Sequence, residues 1–355
     1  MPLFSSLELD NLIVENRIVK SATAESMADD DGFVTEKFVE FYKRLAEGGA
    51  GLVITGHMFV MDEGKAHRKM AGISRDEHIS GLKKMVQEVK KINSSQMLVA
   101  QISHAGRQSP FNPVAPSPVP DPVMKVTPRE LTEEEIEQII DAFGAAAGRA
   151  EKAGFDAVQL HAAHGYLLSE FISPHTNRRK DEYGRERAKI LLDIRERIRE
   201  KSRIPVLIKM NATDFISGGL EIHEAMRIAK LLEKAGFEAI EVSGGMFESA
   251  HHTGYNVVCQ NVSRSGEGYF TEFARKIKEA VDVPVIAVGG IRSKAFAERL
   301  IKEGYADMVS MARPLIRDPY LPLRWMHSEN EVSDCKSCNL CLRSVSVKEL
   351  GCYSD

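Results

Sequence analysis

Eight short apolar runs, each followed by a segment with helical periodicity, constrain this chain more than any other feature. The runs fall at residues 18–21, 51–56, 97–103, 155–161, 204–210, 237–243, 283–290 and 306–311. Between them, apolar residues recur at three- and four-residue intervals, as in 35–48, 76–92, 132–153, 186–201, 221–236, 271–281 and 293–304. The strand-like runs are nearly continuous in apolar residues, which fits strands covered on both faces. Eight β–α units in one chain predict an α/β fold, a single (β/α)8 TIM barrel. Thr35 and Thr132 are placed to cap helices, the latter in a capping box with Glu135. The proline-rich stretch 109–128 reads as a long loop over one barrel end.

The barrel is expected over residues 1–325, and a short cysteine-rich tail over 326–355. Net charge is −4 with both signs interspersed, so nothing points to nucleic acid or an anionic membrane. No apolar run is long enough to span a bilayer, and the first residues lack the basic and apolar regions of a signal peptide, so a cytoplasmic location is expected.

In such a barrel, side chains at the carboxyl ends of the strands face the active site. The fourth run ends on His161, with His164 and Tyr166 close behind. Two neutral imidazoles can hold a carbonyl oxygen, and a phenol can donate a proton. The same H-x-x-H spacing also serves structural and metal-binding roles. Gly289 and Gly290 at the end of the seventh run, with Arg313 after the eighth, predict a phosphate site, because barrels bind phosphate between those two loops. Lys209 lies inside the apolar fifth run and is expected to face an anion, with a barrel-interior salt bridge as the alternative. Gln101 on the third run is a plausible amide partner for a heterocycle. Cys335, Cys338, Cys341 and Cys352 crowd into the tail. In a reducing compartment that clustering reads as a [4Fe–4S] cluster or a tetrahedral zinc before it reads as disulfides.

The motifs together resemble the Old Yellow Enzyme (NADH:flavin oxidoreductase) family. The resemblance rests on Asn16-Arg-Ile-Val19, Gln101-Ile-Ser-His-Ala-Gly-Arg107, His161-Ala-Ala-His-Gly-Tyr166 with the following run to Gly184, Val288-Gly-Gly-Ile291 and Ala312-Arg-Pro314. It implies noncovalent FMN across the barrel mouth. Ser21, Ala22 and Thr23 would contact the flavin ring from strand one, and Gly56 from strand two. Gln101 would bond the pyrimidine edge, Lys209 would sit near N1 and O2, and Gly289, Gly290 and Arg313 would hold the phosphate. His161 and His164 would bind a substrate carbonyl, and Tyr166 would protonate it. The implied reaction is hydride transfer from reduced FMN to an α,β-unsaturated carbonyl compound, with NAD(P)H as reductant.

The sequence departs from the family pattern in three places. Ala24 stands where many relatives carry Thr or Cys, Lys209 replaces the commoner Arg, and the run after Tyr183-Gly184 is shortened. The tail resembles the segment after the barrel in the 2,4-dienoyl-CoA reductase and trimethylamine dehydrogenase branch, with one residue fewer between its second and third cysteines. That branch adds a half that binds FAD and nicotinamide, whereas this sequence stops at Asp355, so a cluster would draw electrons from a redox partner protein. A cluster-fed reductase or demethylase, and an FMN electron-relay subunit, are therefore the alternative readings. Relatives also suggest a homo-oligomer.

Overall fold

The computed structural model describes residues 2–9, 12–328, 331–344 and 348–354. Eight parallel strands close into a ring: β1 (Ile18–Lys20), β2 (Leu52–Ile54), β3 (Met97–Ser103), β4 (Ala157–Ala162), β5 (Val206–Asn211), β6 (Ala239–Ser243), β7 (Val285–Val288) and β8 (Met308–Met311). Closure runs through the pairing of β8 with β1 and of β2 with β3. The chain is a (β/α)8 barrel, as the eight alternating units require.

Alternate strand residues divide between two cores. Val19, Leu52, Ile54, Val99, Leu207, Ala239, Ile286 and Met308 point inward and fill the barrel. A hairpin of Leu7–Leu9 and Leu12–Val14 closes the lower end, adding Leu9 and Val14 to that cluster. The intervening residues, among them Ile18, Val53, Leu98, Leu160, Ile208, Ile240 and Val309, pack outward against the helices. Burial on both faces is why the strands read as unbroken apolar runs.

The outer layer is α1 (Glu36–Glu47), α2 (His78–Ile92), α3 (Glu133–Ala153), α4 (Lys189–Lys201), α5 (Ile222–Lys234), α6 (Thr271–Lys278), α7 (Lys294–Lys302) and α8 (Leu321–His327). Thr35 caps α1 by accepting from the Phe38 N–H, and Phe38, Phe41, Tyr42 and Leu45 form its buried face. Thr132 and Glu135 make the reciprocal capping box on α3, and Gly154 ends that helix at φ 92°. Among the described residues no helix is long and apolar enough to cross a membrane.

Two regions are more structured than the sequence reading. The proline-rich loop carries a short parallel pairing of Val114–Ala115 with Arg129–Glu130. The segment between β4 and α4 folds into short helices at Leu167–Ile172 and Glu182–Arg185, so α4 begins at Lys189 and not at 186.

Candidate functional site

β4 delivers His161 to the mouth, and the chain then turns sharply. His164 and Gly165 adopt left-handed conformations, with φ of 66° and 82°. That geometry costs a non-glycine residue on the order of 1–2 kcal/mol, so it persists only where neighbours hold it. Asn211 Oδ1 on β5 accepts from the His164 N–H at 3.3 Å, and Gln108 Nε2 donates to the His164 carbonyl at 3.0 Å. The turn returns Tyr166 beside the imidazoles. Ring centroids of His161 and His164 are 5.2 Å apart, and those of His161 and Tyr166 are 4.8 Å apart.

His164 Nε2 lies 2.8 Å from Ser243 Oγ at the end of β6. His161 Nδ1 is buried and has no protein partner among the described residues. Burial holds both imidazoles well below their ordinary value, and Lys209 and neighbouring imidazoles add to the effect. Both are therefore neutral at physiological pH. Burial raises the Tyr166 phenol above its ordinary value, so it keeps its proton. Phe247, on the loop after β6, meets Tyr166 edge-on at 6.2 Å.

Beneath this group lies a polar layer. Gln101 Nε2 donates to Gln159 Oε1 at 2.7 Å, and Gln159 Nε2 donates to Glu241 Oε2 at 3.0 Å. Lys209 Nζ donates to Ser21 Oγ at 2.8 Å and pairs with Glu241 Oε1 at 3.1 Å. Ser310 Oγ also donates to that carboxylate, at 2.9 Å. The interior salt bridge left open for Lys209 is thus present. Burial alone would raise the Glu241 carboxyl, but Lys209 and three hydrogen-bond donors hold it below its ordinary value.

On the far wall, Gly289 and Gly290 have φ of 118° and 74°. A Cβ at either would stand 2.9 and 2.8 Å from the Tyr269 ring, so only glycine fits under that side chain. Arg313 Nη2 donates to the Gln260 carbonyl at 2.9 Å and to Tyr269 Oη at 3.3 Å. Its Nη1 donates to Asn339 Oδ1 at 2.7 Å, which ties the tail to this wall. Asn339 Nδ2 in turn donates to the Cys259 carbonyl at 2.8 Å.

Most of these groups line one cavity at the mouth, with about 1200 Å³ of empty space that includes the part open to solvent. Of the residues expected from the sequence, Ser21, Ala22, Thr23, Gln101, His161, His164, Tyr166, Lys209, Gly289, Gly290 and Arg313 meet there. Gly56 stands behind the wall: its N–H donates to Glu25 Oε1 at 2.6 Å and to Tyr42 Oη at 2.9 Å. An added Cβ there would be 2.2 Å from Glu25 Oε2, so Gly56 is a packing requirement of the wall. Sequence reasoning missed His57, Glu241 and Tyr269. Glu241 carried the signal used for Lys209, a charge inside an apolar run, and His57 directly follows the second run.

Cys335 and Cys341 line the cavity, Cys338 is exposed, and Arg317 Nη1 reaches Cys352 Sγ at 3.5 Å. Burial, with Cys259 and Cys335 nearby, pushes the Cys341 thiol up to about 11. Among the described residues no three His, Cys, Asp or Glu side chains are gathered as ligands of one metal ion.

Residues 2–331 match the model of the NADH:flavin oxidoreductase / NADH oxidase family. The chain belongs to this family. Its members are FMN-dependent oxidoreductases that use NAD(P)H. The chain is 39% identical over 351 residues to an NADH oxidase of Thermoanaerobacter brockii, covering 95% of this chain and 53% of that protein. It is 36% identical over 327 residues to an NADPH dehydrogenase of Bacillus cytotoxicus, covering 90% of each. Among solved structures it is similar to a 2-naphthoyl-CoA reductase in complex with 2-naphthoyl-CoA. That similarity has a TM-score of 0.92 at 28% identity and covers 99% of this chain and 56% of the other. The chain thus spans about half the length of two of these relatives.

The cavity suits FMN on its own features. It offers the Gln101 amide, the Lys209 cation, two left-handed glycines and the Arg313 guanidinium, and His161 Nδ1 beside them has no partner among the described residues.

Proposed function

We propose that this chain is an ene-reductase that saturates the C=C bond of an α,β-unsaturated carbonyl compound. The observation that carries the reading is the neutral pair His161 and His164, 5.2 Å apart, with the protonated Tyr166 against His161 in the same cavity. Electron relay alone needs no such group. The compound bound by the similar 2-naphthoyl-CoA reductase is likewise a conjugated carbonyl.

Ser21, Ala22 and Thr23 would lie against the flavin ring, Gln101 would face its pyrimidine edge, and Gly289, Gly290 and Arg313 would hold its phosphate. Arg313 would then share its guanidinium between the phosphate and Asn339. The Lys209 charge is offset by Glu241, so it would polarise the ring less than a lone cation would. When bound, reduced FMN supplies the hydride that reaches the substrate's β-carbon. His161 and His164 donate hydrogen bonds to the carbonyl oxygen, whose negative charge grows during the reaction. Tyr166 gives its proton to the α-carbon.

Replacing Tyr166 with Phe is expected to slow reoxidation of the reduced, FMN-loaded chain by an enone about 10²- to 10⁴-fold. Reduction by NAD(P)H should fall far less. Stopped-flow absorbance measures the two half-reactions separately, and equal losses in both would remove Tyr166 from the donor role.

A second reading rests on the tail, because Cys335 and Cys341 share the cavity wall. Under it, Cys335, Cys338, Cys341 and Cys352 would hold a metal centre that would supply one-electron chemistry, with a redox partner protein as the electron source. The thiols would first have to converge. Iron and zinc analysis of anaerobically purified protein tests this, and about four irons per chain would favour it.

A further inference from the structure

The cavity holds a third imidazole that the proposed reaction leaves unused. His57 lies just beyond β2 and lines the cavity. Its ring is 4.9 Å from Tyr166 and 5.7 Å from His161, nearly perpendicular to the latter at 85°. Nδ1 is 2.9 Å from Ser103 Oγ at the end of β3, which fixes the ring and leaves Nε2 as its remaining polar atom. Burial lowers the His57 pKa to about 3, so the ring is neutral. A neutral imidazole has one N–H and one lone pair. In the tautomer whose Nδ1 accepts from the Ser103 hydroxyl, the proton sits on Nε2.

The rings run in the order His164, His161, His57, with separations of 5.2 and 5.7 Å. Tyr166 packs against the last two, at 4.8 and 4.9 Å. In the reaction proposed above, the carbonyl oxygen lies between His161 and His164, and the α-carbon lies next to the Tyr166 hydroxyl. The His57 ring stands 4.9 Å from the Tyr166 ring, on the side of Tyr166 that a substituent on that α-carbon can reach. We propose that His57 is a specificity-determining residue that donates a hydrogen bond to an acceptor atom carried on the substrate's α-carbon. The preferred substrates are therefore conjugated carbonyl compounds with an oxygen-bearing α-substituent. This inference rests on the ene-reductase reading and refines its substrate class.

The test compares two compounds that differ by one atom, 2-methoxycyclohex-2-enone and 2-ethylcyclohex-2-enone. The ratio of their kcat/KM values, methoxy over ethyl, is measured for the FMN-loaded protein and for His57→Phe. The substitution keeps an aromatic ring beside Tyr166 and removes the donor. The ratio is expected to fall about three- to tenfold, the worth of one neutral hydrogen bond. His57→Gln, which keeps a donor, should restore part of it. His57→Leu replaces the Phe variant if that protein does not fold. A ratio that is the same with and without His57 overturns the inference. Binding of 2-methoxyphenol and 2-ethylphenol, read from the visible spectrum of the FMN-loaded protein, gives the same comparison without turnover. Absence of enone reduction by the wild type, with the methoxyphenol preference present and dependent on His57, would refute the reaction and leave the His57 subsite standing. Turnover of both enones with no His57-dependent preference would do the reverse.

Discussion

At the scale of single residues, the site depends on groups held in states they would not adopt in water. His164 is kept in a left-handed conformation by Asn211 and Gln108. Lys209 and Glu241 are both buried, at 4% and 0% exposure, and each is tolerated because the other is present. Breaking such a pair leaves an uncompensated buried charge, which costs about 3–5 kcal/mol. Glu241→Gln is therefore expected to destabilise the protein by roughly that amount, read from urea denaturation. A loss within 0.5 kcal/mol, the ordinary range of surface substitutions, would mean that Lys209 is compensated otherwise. Lys209 was legible because a charge inside an apolar run demands a partner. Its partner was not read, since Glu241 is 32 residues away and joins through strand pairing. The link from Ser21 to Glu241 spans 220 residues, which no local pattern encodes.

At the scale of elements, the loops over the mouth are clamped by charge beneath them. Arg107, after β3, is 1% exposed and pairs with Glu248 of the loop after β6 and with Asp121 of the proline-rich loop. His175, from the segment after β4, also reaches Glu248, at 3.4 Å. The loop that carries Glu248 also carries Phe247, which packs on Tyr166 and His164. Glu248→Ala is expected to loosen that loop, increase limited proteolysis within 246–265, and lower enone kcat/KM. Unchanged proteolysis would show that apolar packing alone holds the loop. The strands, the helices and the caps at Thr35 and Thr132 were readable because their signals are local. The short helices after β4 were not, since Leu167–Ile172 is only six residues long and fully buried, without an amphipathic stripe.

At the scale of the whole molecule, the fold holds more imidazoles lowered by burial than carboxyls raised by it. Burial lowers His57 to about 3 and His67 and His104 to about 4, and lowers His161 and His164 in the same direction. In the unfolded chain a histidine titrates near 6.5, at about its ordinary value. The unfolded state therefore binds more protons as pH falls from about 6.5 toward 4, and stability falls with it by about 1.4 kcal/mol per pH unit for each such group. The buried carboxyls Glu25, Glu170 and Asp214 are raised and act in the opposite sense, but they are fewer. Urea unfolding at pH 7, 6 and 5 should show a steady loss of stability, and a flat profile would mean that the imidazoles are not buried neutral. The tail joins this same mouth through Arg313 and Asn339, a contact that the cysteine spacing did not announce. The central claim is tested most directly by mixing the photoreduced, FMN-loaded protein anaerobically with cyclohex-2-enone and following the flavin absorbance. The account predicts return of the oxidised flavin spectrum with formation of one cyclohexanone per flavin, whereas a flavin that stays reduced with the enone intact would contradict it.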